Sequence, residues 1–170
     1  ALQTCIEESA ISLNLQKVDD HVFKTIQLWE TFIVRFGVML VGPTGGGKSQ
    51  CYKCLQAALG KLRGDDHPND EYQPVVSFVF NPKMISMGEL YGEFNDLTQE
   101  WTDGLASKIM RSTVEKDYDT LDELLPRRTK IGEQDWKWVI FDGPVDAIWI
   151  ENMNTVRLSL FAFKKLFALN

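Results

Sequence analysis

The chain has 170 residues, 44% of them hydrophobic, with a formal net charge of −6 and a pI of about 4.9. That length and apolar share suit one domain with a proper core. The acidity argues against a nucleic-acid groove, which needs clustered Lys and Arg: between Asp65 and Asp135 there are 16 acidic residues against 7 basic ones. Cys5, Cys51 and Cys54 are an odd set with no secreted framework and read as reduced thiols of a cytosolic protein. There is no export signal and no long uninterrupted apolar run, so neither secretion nor a membrane span is expected. The chain begins with Ala1 rather than Met and reads as a fragment.

Taken in order, 4–15 carries Ile6, Ala10 and Leu13 at the spacing of a helix face. Asp19 or Asp20 can cap a second helix, along which Val22, Ile26, Trp29, Ile33 and Phe36 repeat, with Gly37 as a left-handed stop. The loop 14–18 between the two helices is a candidate for an adenine pocket or plain connecting chain. Val38 to Val41 reads as a buried strand, and Gln50 to Leu62 as a helix with Cys51, Leu55, Ala58 and Leu62 on its buried stripe. Cys51 and Cys54 form a C-x-x-C inside that helix, where core packing is favoured over redox or zinc chemistry. An exposed loop covers 63–74, a strand 75–80, and a short helix passes through Met87 and Leu90. Trp101, Leu105 and Ile109 place a helix over 97–111, although Gly88, Gly92 and Gly104 allow a broken helix with an inserted turn. The charged stretch 114–135, including Arg127, Arg128 and Lys130, reads as a solvated linker. Trp136 to Asp142 is a third strand, apolar enough for burial on both faces of a parallel sheet.

Between the first strand and its helix stands Gly42-Pro43-Thr44-Gly45-Gly46-Gly47-Lys48-Ser49, the phosphate-loop pattern G-x-x-x-x-G-K-[ST]. Glycines let successive backbone N–H groups turn toward phosphate oxygens, and the following helix adds the positive end of its dipole. Lys48 is the residue for the β- and γ-phosphates, and the Ser49 hydroxyl is the residue for Mg²⁺. Asp142, closing the third strand roughly a hundred residues on, has the type and position of the magnesium-side acid. The expected nucleotide-binding set is Gly42, Pro43, Thr44, Gly45, Gly46, Gly47, Lys48, Ser49, Gln50 and Asp142. Ser49 and Asp142 are the metal ligands in it, and ATP and Mg²⁺ are the cofactors.

These motifs resemble more than a generic phosphate loop. Residues 37–49, Asn81-Pro82-Lys83, 88–94, 100–104 and above all Phe141-Asp142-Gly143-Pro144-Val145-Asp146-Ala147-Ile148-Trp149-Ile150-Glu151-Asn152-Met153-Asn154 are similar to a dynein heavy chain motor of the axonemal type. Within it they resemble the second of six AAA+ modules. The resemblance implies an α/β fold of the P-loop NTPase class, an AAA+ large subdomain over 1–156 with a parallel sheet flanked by helices. It implies as partners the neighbouring AAA+ modules of the same chain and, through the rest of that chain, intermediate and light chains and microtubules. No nucleic acid and no membrane are implied. The implied location is cytoplasmic, on the cytoskeleton of a cilium or flagellum axoneme.

Two departures matter. Hydrolysing AAA+ modules place a Glu after the magnesium-side Asp to deprotonate the attacking water, and here that residue is Gly143. Asp146 and Glu151 are the nearest possible substitutes, and no catalytic residue is assigned. The resemblance therefore implies a module that holds ATP without turning it over. The competing readings are an active ATPase with another base, and a small-molecule kinase with Arg127 and Arg128 on its lid. The second departure is the apolar and basic tail 157–170, which does not match the family. It reads either as an alternative coding end or as chain that packs where missing elements would have been.

Overall fold

The computed structural model describes residues 1–35, 37–125 and 130–144, and the backbone of 164–169. Phe36, Arg127, Arg128, Asp146 and Glu151, each singled out above, lie outside the described residues.

Two helices lead in, α1 (Leu2–Ser12) and α2 (Asp19–Val34), followed by β1 (Gly37–Val41), α3 (Lys48–Gly64) and β2 (Val75–Phe80). Next come α4 (Met87–Tyr91), the strands β3 (Gly92–Phe94) and β4 (Trp101–Asp103), α5 (Leu105–Glu115) and α6 (Tyr118–Glu123). The chain returns through β5 (Trp136–Gly143) and β6 (Lys164–Leu169). The main sheet is wholly parallel in the order β1-β6-β5-β2. β6, from the stretch that departs from the family pattern, lies between the strand that precedes the phosphate loop and the strand that carries Asp142. Leu169 is in register with Val41 on one side and Gly143 on the other. The C-terminal ends of β1 and β5 thus lie level, at the edge of a parallel sheet where ligands bind.

β5 explains the layering. Its side chains alternate, so Trp138 and Ile140 pack with Leu28, Trp29, Phe32, Leu55 and Leu59 of α2 and α3. Val139 and Phe141 pack on the opposite face with Leu90, Ile109, Met110 and Leu121 of α4, α5 and α6. Each such side chain contributes about 1.5–3 kcal/mol by burial. Trp138 stacks on Phe32 at 4.7 Å between ring centres. α1 closes the outside of the first layer by packing Cys5 and Ile6 with Ala58 and Leu62 of α3.

Several expectations need correction. Asp19 and Asp20 do not cap α2: Val18 is the N-cap without a side-chain bond, and both carboxylates stand in the first turn, facing the positive helix end. Gly37 is not a left-handed stop, because it already belongs to β1 and pairs with Lys165. Leu13 and Ile33 are exposed; the buried stripe of α2 keeps the expected Val22 and Trp29 and continues through Leu28 and Phe32. β1 is not a buried strand: only Val38 is buried, while Met39 and Val41 are 54% and 68% exposed at the end of the described sheet.

The helix expected over 97–111 starts only at Leu105, and a hairpin stands before it. Gly92 adopts φ +121, and a Cβ there would lie 2.5 Å from the Trp101 ring, so the close strand crossing needs glycine. Asn95 closes the turn, its side chain accepting from the Leu97 and Thr98 amides. Nor is 114–135 a plain linker. Asp117 caps α6 by accepting from the Thr120 amide, and Leu121 and Ile131 are buried in the core. Tyr118, Leu124 and Leu125 pack against the same cluster, so the apolar residues of a charged stretch dock it.

Candidate functional site

The site grows from the junction of β1 and α3. Gly45 and Gly47 both hold φ +79, the left-handed conformation that turns the loop onto the helix. The Gly46 amide donates to the Pro43 carbonyl at 3.0 Å, closing the turn. Gly47 is the N-cap of α3 and offers no side chain, leaving the helix N-terminus open toward the cleft.

Lys48, the first residue of α3, is buried, and its Nζ donates to the carbonyls of Gly42 (2.9 Å) and Pro43 (2.7 Å). The ammonium group is therefore held over its own loop. Ser49 Oγ donates to Asp142 Oδ2 at 2.7 Å, joining residues 93 apart in sequence. Two hard oxygen donors thereby converge, the ligand type that Mg²⁺ takes, so the residues present fit the metal. The cleft measures about 330 Å³ and is lined by Thr44, Gly45, Gly47, Lys48, Ser49, Gln50 and Asp142. Gly42 and Pro43 serve it by holding Lys48, and Gly46 by closing the turn. A larger cavity of about 620 Å³ opens at the other end of the sheet, among Arg63, Lys116, Glu133 and Lys137. Size alone would favour it, but it lacks the loop, the helix terminus and the paired oxygen ligands.

Tyr52 escaped the sequence reading. Its hydroxyl donates to Asp142 Oδ2 at 3.3 Å, one turn along α3 from Ser49. Burial, with the Asp142 charge adding to it, pushes its pKa up to about 12. It is a fixed donor at neutral pH, and its place three residues after Ser49 was the available signal. His21 packs against the loop from the start of α2, its Cδ2 3.7 Å from where a Gly47 Cβ would stand. Its Nε2 is buried without a hydrogen-bond partner among the described residues, and burial pushes its pKa below the usual histidine value.

Cys51 and Cys54 are buried core residues of α3, and burial raises both thiols above their usual range. Among the described residues no helix is long and apolar enough to cross a membrane.

Comparison with known proteins gives the site a context. The family profile described as "Hydrolytic ATP binding site of dynein motor region" matches residues 1–49, through the phosphate loop and short of Asp142. The chain is 47% identical over 156 residues to dynein axonemal heavy chain 1 of Homo sapiens. It is 50% identical over 155 residues to dynein axonemal heavy chain 6 of Homo sapiens. It is also similar to the dynein-1-beta heavy chain of the flagellar inner arm I1 complex of Chlamydomonas reinhardtii, at 44% over 155 residues. Each alignment covers 91% of this chain and 3% of the relative, so the chain spans a short segment of the proteins it matches.

Proposed function

The chain belongs to the dynein heavy chain family, within its motor region, and on that premise we propose that it is an AAA+ module that binds Mg·ATP without hydrolysing it. The observation that carries this reading is the convergence of Lys48, Ser49 and Asp142 on one cleft, with Gly143 following Asp142. Lys48, held on the Gly42 and Pro43 carbonyls, is the residue that would meet the β- and γ-phosphates. The α3 N-terminus and the loop amides meet the remaining phosphate oxygens. Ser49 and Asp142 would hold Mg²⁺, which would neutralise phosphate charge, and Tyr52 steadies Asp142. Gly143 has no side chain to take a proton from water, so the bound nucleotide persists.

In this reading the module is the second of six in the motor ring, and hydrolysis at other modules drives movement along microtubules. The neighbouring modules complete the site, while intermediate and light chains engage other parts of the heavy chain. The location is the cytoplasmic cytoskeleton of a cilium or flagellum. The axonemal and flagellar relatives support this.

An active ATPase is the second reading, favoured by the word "hydrolytic" in the description of the profile that matches 1–49. That match ends before β5 and so bears on phosphate binding more than on the base. A single-turnover assay on the complete heavy chain, with the other nucleotide sites disabled, separates the readings. Retained ATP supports the silent module, and phosphate release at the rate of an active AAA+ module overturns it. Transfer of phosphate to an acceptor would favour the kinase.

A further inference from the structure

A small aromatic cleft between α2 and the start of β5 takes no part in nucleotide binding. It measures about 110 Å³ and is lined by Trp29, Phe32, Ile33, Glu71, Trp136 and Trp138. Trp29, Phe32 and Trp138 are buried in its floor, whereas Ile33 and Glu71 are exposed at its rim. The walls are fixed by their own contacts. Phe32 and Trp138 stack on each other, Trp29 packs against the Tyr72 ring at 5.7 Å, and Trp136 Nε1 donates to the Glu71 carbonyl at 2.9 Å. The cleft is therefore formed before anything enters it.

Three features of the cleft favour a cation. Aromatic ring faces carry the negative part of the ring quadrupole. Glu71 is the one charged residue in the lining. Phe32 and Ile33 belong to the last turn of α2, the negative end of its dipole, and no basic residue stands in that turn. Arg35 follows as the C-cap but does not line the cleft. Sites for whole small molecules measure roughly 300–1,000 Å³, so this space suits one side-chain end. A guanidinium fits it better than an ammonium. It is planar and weakly hydrated, and it can lie on an aromatic ring while its N–H groups reach a carboxylate. Outside the mouth, Ile33 and Val34 are 46% and 72% exposed, an apolar surface for the residues beside such an arginine.

We propose that this cleft receives an arginine side chain from a further segment of the heavy chain, its guanidinium on the tryptophan rings and paired with Glu71. The matched segment is 3% of the length of its dynein relatives, and the chain beyond it is the source of that arginine. The cleft lies near the start of β5, away from the end that carries Asp142, so the contact is a docking point independent of ATP turnover.

The test uses the complete, purified heavy chain with p-benzoylphenylalanine in place of Val34, beside the mouth. After irradiation and digestion, mass spectrometry identifies the attached peptide. The expected peptide lies outside residues 1–170 of the same chain and carries an arginine next to the attachment point. Its yield should fall at least about threefold in the Glu71→Gln, Trp136→Leu double variant, the scale of a cation on a partly exposed aromatic surface. Replacing the captured arginine by Gln should give the same fall, and adding it to the double variant should lower the yield no further. No attached heavy-chain segment, a segment without arginine, or a yield indifferent to these changes overturns the proposal. Capture of a second copy or of another protein overturns it as well. Retained ATP affinity shows that each variant is folded. Should Trp136→Leu lose it, Glu71→Gln alone, at an exposed residue, decides.

Discussion

Lys48 and Lys137 sit toward opposite ends of the same sheet, and each gives its ammonium group to two backbone carbonyls. Lys48, 8% exposed, donates to Gly42 and Pro43 at the C-terminal end of β1. Lys137, 4% exposed, donates to Gly132 and Glu133, both at 3.0 Å, near the start of β5. The immediate chemistry is the same, and the surroundings differ. Lys137 also lies over the Tyr118 ring at 5.1 Å, and burial holds its pKa below the usual lysine value. Its acceptors belong to the segment that leads into β5, so the lysine ties that segment down. Lys48 instead holds a glycine-rich loop beside an open helix N-terminus and the Ser49–Asp142 pair. An identical pair of acceptors is thus a permanent tether at one end and, in the proposed mechanism, a resting position at the other. What faces the lysine decides the role, and its hydrogen-bond count does not.

The largest expected effect breaks this comparison on the nucleotide side. Lys48→Ala should lower ATP affinity about ten- to a hundredfold, since a hydrogen bond to a charged group is worth about 1.5–3 kcal/mol. Unchanged affinity by titration calorimetry would remove the loop from the site. The matching change at the other end, Lys137→Met, should leave ATP affinity alone. It should cost about 1–3 kcal/mol in denaturant unfolding, because the Gly132 and Glu133 carbonyls lose their donor. A loss of ATP affinity in that variant at full occupancy of the folded state would contradict the division of roles.

Next in size are the metal-side residues. Ser49→Ala and Asp142→Asn should each weaken binding of Mg·ATP more than binding of metal-free ATP. Equal losses with and without Mg²⁺ would mean that the pair serves the fold of the loop. Tyr52→Phe should reduce Mg·ATP affinity less, by about 0.5–1.5 kcal/mol or up to roughly tenfold, the worth of one ordinary hydrogen bond. An effect as large as that of Asp142→Asn would make Tyr52 more than a support for the carboxylate.

The smallest effect concerns His21. Its pKa is lowered in the folded state, so below 6.5 the unfolded chain takes up a proton that the folded chain resists. This contribution therefore weakens folding as pH falls from 6.5 toward the folded pKa. His21→Gln should flatten the stability profile in that window while leaving the profile above pH 7 alike. Parallel profiles for the two chains in urea unfolding would show that His21 does not titrate between the two states.

Much of the site was legible because its determinants are local. A phosphate loop depends on glycines at fixed offsets and on a lysine at the helix start, and all of these lie within eight consecutive residues. Runs 75–80 and 136–142 carried their strand character in β-branched and aromatic composition, and β2 and β5 occupy essentially those spans. The end of β2 was also recognisable, since Asn81-Pro82 stops a strand by backbone chemistry. The apolar run of β5 told in advance that both its faces would be covered.

Other features depended on neighbours in space. Trp101, Leu105 and Ile109 have helical spacing, yet the Gly92 backbone admits the Trp101 ring and a hairpin forms instead. Met39 and Val41 have the composition of a buried strand but are exposed, because burial depends on which strands lie alongside. Leu121 and Ile131 looked like isolated apolar residues in a solvated stretch until α5 and β5 supplied a surface for them. The Tyr52 bond to Asp142 and the meeting of Trp29 with Trp136 around one cleft each join segments far apart in the chain. Sequence by itself determined the phosphate loop, the strand types and the missing carboxylate, since each is a property of a few adjacent residues. Only the tertiary structure decided the interleaved strand order β1-β6-β5-β2 and, with it, which side chains meet at the ends of β1, β2 and β5. Those meetings follow from strand pairing and the packing of two helical layers, for which no short stretch of sequence carries the information.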